Sequence, residues 1–100
     1  MSAGAIDMVL HPPARLQVAA VLARTSKAEF ARLREITQVS DSVLSKHLSA
    51  LVDAGYVKLT KGALDGRQRT WATFTAAGHK AFAAHVRALQ AIVAAADETI

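Results

Sequence analysis

Short polar side chains recur at helical spacing in the middle of this sequence, between Asp41 and Ala54. The helix that this spacing predicts has one polar and cationic face: Ser42, Ser45, Lys46 and Ser49. Its opposite face is apolar and suits a core: Leu44, Leu48, Leu51 and Val52. A helix that enters the DNA major groove needs short side chains, because its backbone must approach the base edges. A Ser-rich face that is merely solvated fits this helix equally well.

Local signals mark both ends of this helix. Ser40 can cap its N-terminus, and Asp41 places negative charge in the first turn, where the helix dipole favours it. Gly55 stands where a left-handed residue commonly ends a helix, and Tyr56 can fold back against Leu51. The sequence therefore predicts a helix from Asp41 to Ala54, after which the chain turns.

A basic β-hairpin is predicted next. Residues 56–61 and 69–74 alternate and are rich in β-branched side chains, and Asp65-Gly66 between them is a turn signal. The spacing predicts a tip of about seven residues. Four cations flank this tip: Lys58, Lys61, Arg67 and Arg69. A short polar helix followed by a cationic hairpin is the winged helix-turn-helix arrangement, in which the wing contacts nearby phosphates or the minor groove. The predicted wing contacts are Lys61, Arg67 and Arg69.

Two motifs in this region resemble known families of regulators. The run from Ser45 to Val57, S-K-H-L-S-A-L-V-D-A-G-Y-V, is similar to the S-x-H-L-x-x-L-x-x-A-G-hydrophobic-V run of ArsR-type regulators. Asp65-Gly66-Arg67 and Phe74-Thr75-Ala76-Ala77-Gly78 resemble the wing and the L-T-x-x-G helix start of MarR-type regulators. Between Pro13 and Leu89 the chain is most similar to small stand-alone winged-helix transcriptional regulators. The resemblance implies a homodimer that binds near-palindromic DNA.

Length and composition set the bounds for the whole chain. One hundred residues, half of them apolar and many of them alanine, predict one helix-rich domain of the mainly α (α+β) class. We expect a flexible segment at residues 1–11 and a winged-helix domain at residues 12–96. The net charge of +4 suits a polyanionic partner without requiring one. The chain has no cysteine, which fits a reducing cytoplasm. It also has no signal-peptide pattern and no apolar run near the roughly 20 residues that span a bilayer.

Three further helices are predicted around this centre. Pro12-Pro13 opens the first, which is apolar on nearly all sides from Leu16 to Ala23. The capping box Ser26-Lys27-Ala28-Glu29 predicts the start of the second, which runs to about Gln38. Thr75 can cap the last helix, a long C-terminal one that reaches about Ala95.

An apolar stripe on the last helix predicts a homodimer. Phe82, Val86, Leu89 and Val93 follow a heptad-like rhythm with alanines beside it, which lets another helix approach closely. The predicted dimer interface joins this stripe to the first helix: Leu16, Phe82, Val86, Leu89 and Val93. The alternative is that the stripe only packs on its own domain.

The sequence gives little support to other chemistry. The four histidines are not spaced for a helical metal site, although a site shared between subunits through His79 or His85 stays an alternative. No Gly-rich phosphate loop or nucleophile elbow is present, so we predict no enzyme, no cofactor and no metal. We therefore predict a sequence-specific regulator of double-stranded DNA, acting as a repressor, and keep a small-molecule effector of unknown identity as an open prediction. The alternative function is a winged-helix module that binds another protein.

Overall fold

The computed structural model describes residues 5–98, which form four helices and three strands. In chain order these elements are α1 Pro13–Leu22, β1 Ala28–Glu29, α2 Phe30–Thr37, α3 Asp41–Asp53, β2 Val57–Leu64, β3 Arg67–Phe74 and α4 Ala76–Glu98. The strands form one antiparallel sheet in the order β1-β3-β2. This is the predicted winged helix-turn-helix with a long C-terminal helix, so the fold class is confirmed. Within the described residues no helix is long and apolar enough to cross a bilayer.

The core lies between the first three helices and one face of the sheet. Its fully buried side chains come from the N-terminal segment, α1, α2 and α3: Leu10, Val18, Leu22, Leu33, Leu44 and Leu51. Val57, Ala72 and Phe74 close it from the sheet side, since alternate residues of β2 and β3 share a face. Leu44, Leu48 and Leu51 hold α3 against this core and leave its other side outside.

Helix α3 begins and ends as its local signals predict. Ser40 caps it, since its Oγ accepts a hydrogen bond from the backbone N–H of Val43 at 3.3 Å. At the other end Gly55 takes a φ of 81°, and the backbone N–H of Tyr56 donates to the carbonyl of Leu51 at 2.9 Å. These bonds complete the capping pattern that a left-handed glycine allows. The corner between α3 and β2 is therefore tightly defined.

The second helix starts later than its capping box predicts. Ala28 and Glu29 form strand β1, paired with Ala72 and Trp71 of β3, and α2 begins only at Phe30. Glu29 has an extended backbone with φ −76° and ψ 145°, and its side chain makes no capping hydrogen bond. The sheet pairing and the burial of Ala28 replace the cap, which is a tertiary interaction overriding a local propensity.

The hairpin turn is shorter than predicted. Strands β2 and β3 stay paired as far as Leu64 and Arg67, so the tip is the two-residue turn Asp65-Gly66 rather than about seven residues. Both turn residues have positive φ, 53° and 77°, which is the conformation that matches the twist of a tight hairpin. The longer strands carry the wing further from the domain.

The start of α4 lies directly against the corner after α3. Thr75 caps the helix as predicted, since its Oγ1 accepts from the N–H of Gly78 at 3.0 Å, and its hydroxyl donates to the carbonyl of Gly55 at 2.6 Å. A Cβ on Gly78 would lie 2.2 Å from the carbonyl oxygen of Tyr56, so only glycine permits this approach. The helix then runs to Glu98, slightly past its predicted end.

Part of the N-terminal segment is ordered against the domain, which corrects the prediction of a flexible segment at residues 1–11. Leu10 is completely buried in the core, and the Asp7 carboxylate accepts from the backbone N–H of Val9 and from the hydroxyl of Tyr56. A buried leucine opposes release of the segment because release would expose apolar surface to water. Residues 1–4 of the predicted segment lie outside the described residues.

Candidate nucleic-acid interface

Helix α3 presents its polar face to the outside. The four residues predicted to face DNA are all exposed: Ser42, Ser45, Lys46 and Ser49. Of the predicted apolar face, Leu44, Leu48 and Leu51 are buried, whereas Val52 is 38% exposed. The exposed face is therefore made of short side chains and one lysine, which allows the helix backbone to come close to a flat or grooved partner.

The wing brings Lys61 beside this face. Residues Leu59 and Lys61 of β2 and Thr70 of β3 lie on the side of the hairpin that faces α3. Together with Ser45 and Ser49 they line a recess of about 230 Å³. Lys61 and the serines of α3 therefore border one surface, which we call the α3–wing surface: the exposed face of α3 and Lys61. Arg67 lies at the wing tip on the other face of the hairpin.

The two predicted wing arginines have different surroundings. Arg67 is exposed and starts β3 next to the Asp65-Gly66 turn. Arg69 is paired with Glu29 of β1, with 2.5 Å between its guanidinium and the carboxylate, and its Nε is buried without a hydrogen-bond partner. Arg69 thus ties the wing to the start of α2, and Arg67 is the arginine presented at the tip.

The other face of the hairpin carries an aromatic centre. Trp71 is half-buried there, and the Nζ of Lys27 lies 4.5 Å from the centre of its ring, a cation–π contact. Both residues line a surface concavity of about 520 Å³ beside Arg24 and Arg32. This face is separate from the α3–wing surface, because Trp71 lies opposite Thr60 on the strand side away from Lys61.

Sequence reasoning missed a contact that supports α3 from behind. The Nε of Arg15 in α1 donates to the Nδ1 of His47 at 3.0 Å, and the same guanidinium donates to the carbonyl of Val9 at 3.2 Å. Burial, followed by the charge of Arg15, lowers the pKa of His47, so its neutral acceptor form is favoured. Arg15 and His47 are 32 positions apart, and no local pattern relates them.

Helix α2 adds cations near α3, but they are paired within the domain. Arg34 contacts Asp41 at the start of α3 at 2.9 Å, and Arg32 contacts Glu35 at 3.1 Å. Both pairs are well exposed, so each contributes little to stability.

The predicted dimer residues divide along α4. Phe82 packs against the core, while Val86 and Leu89 are half-buried. Val93 and its neighbour Ile92 are 61% and 56% exposed. Val86, Leu89 and Val93 line a concavity of about 350 Å³ on this helix, and all residues from 91 to 98 are exposed. We call the part of α4 that ends in residues 91–98 its outer half. It extends past its own domain with an apolar side uncovered. Leu16, the predicted residue in α1, is half-buried.

The structure offers no metal centre among residues 5–98. No three His, Asp or Glu side chains of this part come together as ligands. His11 and His85 do meet, with ring centroids 5.4 Å apart, but His85 is buried and its Nδ1 accepts from the backbone N–H of Asp7. His79 lies elsewhere, against the ring of Phe74. A site shared between subunits stays an untested alternative.

Comparison with known families agrees with this geometry. The sequence profile of the winged helix DNA-binding domain family matches residues 14–93. A transcriptional regulator homologue from Pyrococcus horikoshii OT3 is 27% identical, with a TM-score of 0.82 over 89% of this chain and 88% of that one. None of the curated proteins matches the sequence significantly.

Two further solved structures share the fold at lower identity. NadR, solved in complex with 4-hydroxyphenylacetate, is 22% identical with a TM-score of 0.69, over 91% of this chain and 67% of that one. HlyU from Vibrio cholerae N16961 is 18% identical with a TM-score of 0.59, over 75% of this chain and 77% of that one. At these identities the likeness concerns the fold alone.

Proposed function

This chain belongs to the winged helix DNA-binding domain family, and we propose that it is a sequence-specific regulator of transcription that binds double-stranded DNA as a homodimer. One observation carries the proposal. The exposed face of α3 holds Ser42, Ser45, Lys46 and Ser49, and the wing places Lys61 beside it. Such a surface can bring backbone and hydrogen-bonding groups to base edges while cations meet the flanking phosphates.

In this proposal each element has its own part of the DNA. Helix α3 enters the major groove, where Ser42, Ser45 and Ser49 approach bases or phosphates and Lys46 donates to a guanine edge or a phosphate. Lys61 neutralises a phosphate at the groove margin, and Arg67 reaches the backbone or minor groove from the wing tip. Arg69 keeps its pair with Glu29 and holds the wing in place, which revises its predicted role as a direct contact.

The second copy of the chain would cover the outer half of α4. Val93 and Ile92 are exposed there beside the half-buried Leu89. A partner that covers these side chains removes their apolar surface from water, which favours association. Twofold pairing through α4 presents two α3 helices to one face of the duplex, with half-sites about 34 Å apart. We propose a repressor, because a dimer seated on a promoter blocks access to it. The cytoplasm is the expected location, where the chromosomal DNA is. A small-molecule effector stays a prediction without a named ligand.

Selection of binding sites from a random duplex library tests this proposal. We expect one enriched near-palindromic sequence, bound at least about a thousandfold more tightly than scrambled DNA at physiological salt. Affinity measured across salt concentrations then counts phosphate contacts, because each contributes about −0.9 to the slope of log K against log salt. Arg67→Ala should make that slope shallower by about one contact per protomer.

A matched control removes an equal charge elsewhere. Arg87→Ala takes an exposed cation from α4, away from the α3–wing surface, and should leave the salt slope close to that of the wild type. If selection enriches no sequence and Arg67→Ala binds like the wild type, the DNA proposal is wrong. The protein-binding module then becomes the favoured function.

A further inference from the structure

A short segment ahead of the family match connects two helices that are far apart in the sequence. The match begins at residue 14, yet Asp7 makes four hydrogen bonds through its carboxylate and its backbone N–H. Its carboxylate accepts from the Tyr56 hydroxyl at 2.6 Å, and its backbone N–H donates to Nδ1 of His85 at 3.0 Å. The remaining two bonds, from the N–H groups of Val9 and Leu10, hold the carboxylate in this orientation. We call the pair of contacts to Tyr56 and His85 the Asp7 bridge.

The Asp7 bridge is the second attachment between α4 and the corner that follows α3. The first is at the start of α4, where Thr75 and Gly78 contact Gly55 and Tyr56. His85 lies seven residues beyond Gly78, about 10 Å further along the helix. One attachment leaves a helix able to pivot, whereas two separated attachments fix its direction. The apolar contacts of Phe82 and Ala88 hold α4 on the domain, but they are not directional.

We propose that Asp7 is a positioning residue for DNA reading, which sets the direction of α4 relative to α3 and thereby the separation of the two α3 helices in the dimer. This inference rests on the proposed function. The outer half of α4 acts as a lever, because Val93 lies about 12 Å beyond His85 along the axis. A change of angle at the bridge therefore shifts the proposed partner and its α3 as a unit.

Two anchors keep the segment in place to do this. Leu10 is completely buried in the core, so the chain on either side of it has little room to move. The guanidinium of Arg15 donates to both the carbonyl of Val9 and the Nδ1 of His47, which joins the same segment to the middle of α3. The segment thus contacts α3 through Arg15, the corner after α3 through Tyr56, and α4 through His85.

The bridge can be tested without DNA, because Tyr56 is the only tyrosine in the chain. The hydrogen bond to Asp7, burial and the Asp7 charge, in that order, raise the pKa of Tyr56 above the ordinary 10.0. Ultraviolet absorbance at alkaline pH reports this phenol directly. Asp7→Ala should lower the Tyr56 pKa toward 10.0, since both the hydrogen bond and the charge are lost. An identical titration in wild type and variant would show that the contact is absent in solution and overturn the proposal.

The positioning role is tested on duplexes that differ only in the spacing between half-sites. Starting from the selected site, one and two base pairs are inserted at its centre, each of which separates and rotates the half-sites. Wild type should prefer the original spacing strongly. Asp7→Ala and Tyr56→Phe should each reduce that preference about fivefold, within the usual range of coupling between sites, and the double variant should lose no more than either single one.

A stability control separates positioning from simple loss of structure. Val18→Ala removes buried methyl groups from the core at α1, away from the bridge, and should lower the melting temperature while keeping the spacing preference. Unchanged spacing preference in Asp7→Ala and Tyr56→Phe, while Asp7→Ala shifts the Tyr56 pKa as expected, would overturn the positioning role. Failure of the wild type to select any duplex would instead refute the proposed function, and the phenol titration would still report on the bridge.

Discussion

Helices α3 and α4 are both amphipathic, but they leave opposite faces uncovered. In α3 the leucines Leu44, Leu48 and Leu51 are at most 2% exposed, and the exposed face carries three serines and a lysine. In the outer half of α4, Ile92 and Val93 are more than half exposed, and no part of the described domain covers them. This difference underlies the two partners that we propose: a polar, hydrated surface for α3 and another apolar helix for α4.

The largest effect should come from the covered side of α3. Leu51→Ala opens a cavity at a fully buried position and should lower the free energy of unfolding by about 2–5 kcal/mol. Val93→Ala, measured at a protein concentration low enough to give monomers, should change it by less than about 0.5 kcal/mol, since the side chain is already exposed. Urea unfolding of both variants measures the difference. Equal losses in the free energy of unfolding would mean that Leu51 and Val93 are equally buried.

Charge on the outer half of α4 should separate the protomers without unfolding them. Val93→Glu would place a carboxylate in the proposed apolar contact. Because an unpaired buried charge is unfavourable, the dimer dissociation constant should rise by at least about a hundredfold. Analytical ultracentrifugation gives the association state, and circular dichroism checks the helices. Ala83→Glu, which adds the same charge at an exposed position of α4 outside the predicted stripe, is the control. A monomeric wild type would contradict the dimer proposal directly.

The inner half of α4 should make stability depend on pH. Burial, and then the nearby His11, lower the pKa of His85, while the Asp7 charge opposes them in part. The unfolded state therefore binds a proton first as pH falls through the ordinary value of 6.5, and the free energy of unfolding decreases from there toward the lowered pKa. His47 contributes with the same sign.

A non-titrating acceptor isolates the part due to His85. In His85→Gln the amide oxygen can still accept from the N–H of Asp7 but binds no proton. Chemical unfolding of the wild type between pH 7 and pH 5 should show a falling stability, and the variant should show a smaller fall. The same dependence on pH in both proteins would mean that His85 is not held neutral by its surroundings.

The sequence predicts α3 well because its signals are local. Ser40 and Gly55 act within one turn of the residues they cap. The spacing of four between Leu44 and Leu48, with polar residues between them, predicts which side of the helix is buried. The same locality caused an error at Ser26–Glu29, where a capping box is present but pairing of Ala28 with Ala72 forms a strand instead. That pairing depends on a segment more than 40 residues away.

Contacts across the whole chain could not be predicted from patterns. Asp7 lies 49 positions from Tyr56 and 78 from His85, and neither pair has a spacing that any helix or strand period explains. The pairing of Arg69 with Glu29 is of the same kind, since two residues 40 positions apart meet only when the sheet forms. Net charge and residue type suggested a wing contact for both arginines, and the fold distinguishes between them.

The central claim is that α3 and the wing, and not the outer half of α4, touch DNA. Backbone amide NMR of the protein titrated with its selected duplex tests this most directly. The account predicts that the largest shifts cover residues 42–49 together with Lys61 and Arg67, and that residues 91–98 stay within the changes seen with scrambled DNA. Shifts concentrated on α4, or an unchanged α3, would contradict it.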